Sequence, residues 1–584
     1  MRMKPRVALV AALTAGLALP GAAAATAMTH PSRSGTQRTA TNSDTTSALE
    51  ADRSAAVKTP TLDWWRCATG MHCASVDVPL DYDSPTGKTT EIAVVRIPAK
   101  NPGNKIGTLF IGPEKAGWSG IEMALNSSDN INDDLLKQFD IVGFDPRGVG
   151  YSDTLECFAS AKDQKRALSG IRIKDFPFTS SEEEKATASA KALGTACATR
   201  SKDLASSMST AQTARDMDLL RRAVGEDKLT YFGYSYGSEL GLTYANMYPD
   251  RVRAVALDAV VDPVAWAGSS ATASTPLSAR LKNDEAADKA LQEILSRCDA
   301  TTTKICPLAG RAFTTFEAIT QRLKKGPLTF TEDDGTTWTY SYPHFIQTIL
   351  GDLNGPFVDS YVTDTLLHAE TLISRDTPAK TQASAMKSLL AKEKERDVEL
   401  RSRTAARKLT GWSTSSVSTH GFPYDNSEET YAGVVCTDGV HPEELASWPR
   451  TVAALDEHVP HFGRALGWDT ARCASDTWTL QDEDAYRGPF NRRTANPVLI
   501  VGNYWDPTTP YTTVRSTADR MPNARLLPND GWGRTTFHTS LCATEAVTAY
   551  LLKQTPPAEG LTCADDKQPF TEDFYPEETD PSRG

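Results

Sequence analysis

The residues best suited to covalent chemistry lie in "LTYFGYSYGSELGLTYANMYP". This stretch contains Gly233-Tyr234-Ser235-Tyr236-Gly237, a G-x-S-x-G pattern. An apolar run enters it, and a run with Leu240, Leu242 and Tyr244 leaves it, which predicts strand, sharp turn and helix. Such a turn lifts a serine Oγ from the end of a sheet, at a helix N-terminus whose dipole favours developing negative charge. The glycines are needed because side chains there would collide with neighbouring backbone. Ser235 is therefore the candidate nucleophile. A serine also needs a base, and the base an orienting acid.

The elements that must position these groups follow from the apolar runs. "IAVVRIP", "KIGTLFIG", "FDIVGFDPRG", "KLTYFGYS" and "VRAVALDAV" read as strands, with "TAQTARDMDLLRRAVG" as a helix between the third and fourth. Strands alternating with helices imply a mostly parallel sheet covered on both faces, and with the G-x-S-x-G elbow this points to the α/β-hydrolase class. In that fold the order is Ser, acid, His, and the acid ends a late strand. Asp506 in "PVLIVGNYWDPTTP" fits. Asp145 in "FDPRGVGYS" also ends a strand but precedes the serine, so it reads as support for the site. After "DAVVDP" the pattern turns helical and polar, before strand signals resume with "NPVLIVGNYWDP" and "ARLLPNDGWG". The expected organisation is a leader over 1–27, a flexible N-terminus over 28–58, the core's first part over 59–263, a helical cap insertion over 264–425 and the core's second part over 426–584.

The whole chain sets outer limits. It has 584 residues, 40% hydrophobic and 23% charged, with net charge −12. An acidic balance argues against nucleic acid or anionic membranes as partners. "MRMKPR", then "VALVAALTAGLAL", then "PGAAAATAM" reads as a secretory signal with cleavage near Ala27. Secretion suits the ten cysteines, whose simplest pairing joins sequence neighbours: Cys67–Cys73, Cys157–Cys197, Cys298–Cys306, Cys436–Cys473 and Cys542–Cys563. There is no C-x-x-C, and His458 and His461 in "DEHVPHFG" have no ligand motif around them, so they read as surface or packing residues. No metal, no organic cofactor and no membrane span is expected.

Four segments together resemble the secreted tripeptidyl aminopeptidases of actinobacteria, serine peptidases related to prolyl aminopeptidase. They are "FDPRGVGYSDTLEC", "GYSYGSELGLTYANMYPDRVRAVALDAVVDP", "NPVLIVGNYWDPTTPY" and "DGWGRTTFHTSLC". The likeness implies a helical cap above the site and release of short peptides from free N-termini. It assigns Ser235 as nucleophile, Asp506 as triad acid and the backbone N–H of Tyr236 as one oxyanion donor. The chain departs from the family at two places. The Gly-rich loop that supplies the second oxyanion N–H reads "GPEKAGWSG", where Glu114, Lys115, Ala116 and Trp118 stand while Gly117, Ser119 and Gly120 remain; Lys115 takes the donor position. Arg534 stands where the family has the triad His. A guanidinium cannot accept a proton, so Arg534 is expected to pair with Asp506 instead. Lys115 is expected in solvent or paired with Glu114. His538, four residues on, is the alternative base. Three functions compete: a working secreted serine peptidase or esterase acting on a peptide, ester or amide; a non-catalytic relative that binds peptides or an envelope partner in the cap cleft; and altered chemistry through Lys115, Glu114 or Arg534.

Overall fold

The computed structural model describes residues 43–171, 175–331, 335, 337–403, 409, 425–537, 539–572 and 574. The expected leader and His538 lie outside the described residues. Among the described residues there are twelve strands: β1 (Trp65–Ala68), β2 (Met71–Pro79), β3 (Thr89–Ile97), β4 (Gly107–Ile111), β5 (Phe139–Phe144), β6 (Leu229–Ser235), β7 (Val252–Val260), β8 (Leu328–Thr331), β9 (Thr337–Tyr340), β10 (Val498–Trp505), β11 (Arg525–Trp532) and β12 (Cys563–Ala564). Ten of them form one sheet in the order β1-β2-β3-β5-β4-β6-β7-β10-β11-β12. β1, β2 and β3 pair antiparallel, as does β3 with β5. Every neighbour from β5 to β12 pairs parallel.

The strand sequences explain the layering. β5, "FDIVGF", is buried at all six positions, as a strand covered on both faces must be. One face packs against the helices Thr210–Ala223, Tyr236–Met247 and Tyr511–Arg520 through residues such as Leu220, Leu240 and Val514. The other packs against Gly120–Leu125 and Leu541–Lys553 through Ile121, Val547 and Leu551. The active-site loops thereby gather at the carboxyl ends of the parallel strands.

A separate helical body follows β7. The helices Asn283–Asp299, Ala312–Lys324, Tyr342–Leu353 and Val358–Ile373 share one core with Trp448–His458 and Phe462–Gly467. Helical packing therefore runs well past residue 425, and the chain rejoins the sheet only at β10. The hairpin β8–β9 lies within this region, where the polar sequence reads as helix. His461 is a packing residue: Nδ1 lies 2.8 Å from the Tyr342 hydroxyl, and burial lowers its imidazole to about 4. His458 is exposed. All five disulfides join sequence neighbours as expected. Among the described residues no helix is long and apolar enough to cross a membrane.

Of the flexible N-terminus expected over 28–58, residues 28–42 lie outside the described residues, and the remainder is not a free tail. Residues Ala48–Ala56 form a helix capped by Ser47. Glu50 accepts from Arg215 at 2.7 Å and Arg53 at 2.9 Å, while Arg53 pairs with Asp83 at 2.6 Å. Composition hid this anchor because two buried charges, not an apolar stripe, hold the helix down. Burial would raise the Glu50 carboxyl, but Arg215 and Arg53 outweigh it and hold it below the usual range. A depressed carboxylate stabilises the fold above its unfolded pKa of about 4.3, and that contribution is lost as pH falls through the folded value. The stability difference between wild type and Glu50→Gln should therefore be full at neutral pH and shrink below about pH 4, measured by urea unfolding across pH.

Candidate active site

Ser235 closes β6 and caps the helix Tyr236–Met247 with φ 55° and ψ −124°. A non-glycine residue at this φ costs about 1–3 kcal/mol and persists only where its surroundings enforce it. Here Ser238 Oγ donates to the Ser235 carbonyl at 2.5 Å and accepts from Val261 N–H at 3.0 Å, tying the turn to the end of β7. A Cβ on Gly233 would lie 2.5 Å from the Gly237 carbonyl oxygen, so the tight turn requires glycine. Ser235 is half-buried, and its Oγ is hydrogen-bonded to none of the described residues.

Asp506 follows β10 and is buried, at the predicted strand end. It does not pair with Arg534. Its Oδ1 accepts from Thr508 N–H at 2.7 Å, Thr508 Oγ1 at 2.8 Å and Thr509 N–H at 3.0 Å, and its Oδ2 accepts from the Thr509 hydroxyl. Burial raises its carboxyl, opposed by these hydrogen bonds. The expected ion pair fails because the following "TT" supplies local donors that a carboxylate in a turn captures first.

Arg534 instead reaches across to the loop after β4. Its Nη2 lies 2.6 Å from Glu114 Oε1, with both side chains largely buried. The carbonyl of the same Glu114 accepts the Tyr236 N–H at 3.1 Å. Glu114 is thus held at two points, and the backbone donor expected to stabilise an oxyanion is already engaged. Lys115 does not pair with Glu114; it is exposed, with its ammonium 4.3 Å from the centre of the Trp118 ring. Its carbonyl accepts Trp118 N–H at 3.1 Å, closing the loop into a turn.

The loop is supported from both sides. Asp145 accepts from the Ser119 hydroxyl, from Ile121 N–H at 3.1 Å and from Tyr151 N–H at 2.8 Å, the support role read from its sequence position. Thr430 Oγ1 donates to the Gly117 carbonyl at 2.9 Å. Gly117 has φ +73°, and a Cβ there would come within 2.5 Å of the Thr430–Tyr431 peptide. Retention of Gly117 within an otherwise altered loop follows from that contact.

Two family descriptions match the chain: "alpha/beta hydrolase fold" over residues 117–367 and "TAP-like protein" over residues 459–563. The chain has the α/β-hydrolase fold, and its C-terminal region is similar to TAP-like proteins. It is 28% identical over 528 residues to a tripeptidyl aminopeptidase of Streptomyces coelicolor, covering 86% of each chain. It is 27% identical over 513 residues to the serine protease Hip1 of Mycobacterium tuberculosis, covering 85% of this chain and 87% of that one. Carboxylesterase B of the same species is 28% identical over 502 residues, covering 84% and 86%. Over most of its length the chain is thus similar to two peptidases and a carboxylesterase.

One residue of this hydrolase's site escaped sequence reasoning. Asp258, in β7 beside the elbow, accepts Thr536 N–H at 2.8 Å and Thr536 Oγ1 at 2.9 Å, fixing the loop that carries Arg534. Burial raises its carboxyl to about 6, moderated by the Thr536 and Ala259 hydrogen bonds. The available signal was an Asp inside the apolar run "VRAVALDAV", where a lone acid needs a partner. Asn503 completes the support, donating to the Trp532 and Gly533 carbonyls at 3.3 and 3.1 Å.

Proposed function

We propose that this peptidase-like hydrolase is a secreted binder of peptide-like ligands whose serine chemistry is closed. The observation that carries the reading is Glu114: its carbonyl takes the Tyr236 N–H while its carboxylate pairs with Arg534 in the position of the family's base. A guanidinium cannot deprotonate Ser235, and one missing oxyanion donor costs about 10²–10³ in rate. Export is supported by the leader-like N-terminus and the five disulfides. One feature favours a working peptidase instead: the strained Ser235 backbone is retained, as catalysis requires. In that reading His538 is the base.

Release of aminocoumarin from a tripeptide amide by the purified protein decides between them. Closed chemistry predicts a rate equal to that of Ser235→Ala. A rate above it that both Ser235→Ala and His538→Ala abolish would establish the working enzyme and overturn the proposal.

A further inference from the structure

A cleft of about 310 Å³ opens between the helix Asn283–Asp299 and the carboxyl end of β10, with Asp506 in its wall. Its ligand chemistry is set by Lys282, Glu285, Lys289, Tyr504, Trp505 and Tyr511. Trp505 stacks on Trp532 with ring centres 5.2 Å apart, and the Lys289 ammonium stands 4.7 Å above the Trp505 ring. Tyr504 and Tyr511 meet edge to face at 4.6 Å, completing an aromatic wall. The Trp505 indole N–H is buried with no hydrogen-bond partner.

The charges in this cleft are not those that capture an amine. Among the described residues Lys289 has no carboxylate partner, and its ammonium rests on the Trp505 ring. Glu285 is shared between Lys282 at 3.8 Å and His458 at 3.9 Å. Asp506 is buried and engaged on both oxygens by Thr508 and Thr509, with a single acceptor position left on Oδ2. A free N-terminal amine needs an available acid, whereas an unpaired ammonium seeks an acceptor.

We infer that the cleft binds a small carboxylate with an apolar or aromatic body, the anion on Lys289 and the body against Trp505. Its volume is at the lower end for small-molecule sites, so the ligand is of the size of an acylated amino acid. The inference rests on the binder reading above and names its ligand class.

Titration of the full-length protein with N-acetylphenylalanine, N-acetylphenylalanine amide and phenylalanine amide, followed by calorimetry, tests this. The carboxylate should bind at least about tenfold tighter than either amide, one charge-assisted contact being worth about that ratio. Lys289→Met should abolish the preference, Lys289→Arg should keep it, and Glu285→Gln should tighten carboxylate binding by freeing Lys282. Equal affinities, an amine preference, or a carboxylate preference unchanged in a folded Lys289→Met protein would overturn the assignment. The two readings fail separately. Turnover by wild type with the carboxylate preference intact removes the closed-chemistry reading alone, and absent turnover with an amine preference removes the cleft assignment alone.

Discussion

Replacing Arg534 by His and Glu114 by Gly together should convert Ser235 from inert to fluorophosphonate-reactive, with a gain on the order of 10³-fold. The two changes repair different defects. Histidine restores a group that can take the hydroxyl proton, worth roughly 10²–10⁴ in rate. Glycine frees the backbone at position 114 to turn its carbonyl away from the Tyr236 N–H, which loss of the ion pair alone does not do. The acid needs no change. Asp506 Oδ2 accepts one hydrogen bond, from Thr509, and a carboxylate oxygen has two lone pairs, so an imidazole N–H has a place to bind. Groups that act as a unit are non-additive. Arg534→His alone should gain little because the oxyanion donor stays engaged, and Glu114→Gly alone should gain nothing because no base is supplied. Competitive labelling of the four proteins measures this directly, and equal labelling of the double variant and wild type would contradict it.

The largest effect on stability is expected at Asp216. Arg147 and Asp216 are fully buried and joined by two hydrogen bonds, at 2.7 and 2.8 Å. Arg147 also donates to the carbonyls of Leu80 at 2.9 Å, Pro79 at 3.0 Å and Ser207 at 3.1 Å, so every part of its guanidinium is committed. Removing the anion leaves a buried cation without compensation, which costs about 3–5 kcal/mol. Asp216→Asn should therefore lower the urea midpoint strongly, with Asp203→Asn, in an exposed pair with Lys88, leaving it unmoved. The effect should reach the active site, because Arg147 and Asp145 belong to one loop and Asp145 holds Ser119.

Much of this was legible in the residues. The parallel strands announce themselves as short apolar runs, and the strand-turn-helix around Ser235 needs its glycines for reasons that the contacts at Gly233 repeat. The order of Ser235 before Asp506 followed from the fold. What escaped reading was partner choice among charges. Arg534 lay close in the chain to no acid that decided its fate, and Glu114, 420 positions away, claimed it only in three dimensions. Asp506 failed to meet Arg534 because Thr508 and Thr509 were nearer. The helix Ala48–Ala56 was missed for a related cause: its anchors Glu50 and Arg53 look like surface residues until Arg215 and Asp83 meet them. Apolar periodicity specifies layers, whereas long-range ion pairs leave no periodic trace.

Closure of the serine chemistry rests on Glu114 and Arg534. Intact-mass measurement of the wild-type protein after incubation with a fluorophosphonate tests it most directly. An unmodified mass is expected under conditions that fully label the Arg534→His/Glu114→Gly protein. A stoichiometric adduct on wild type that is absent from Ser235→Ala would show a live nucleophile and contradict it.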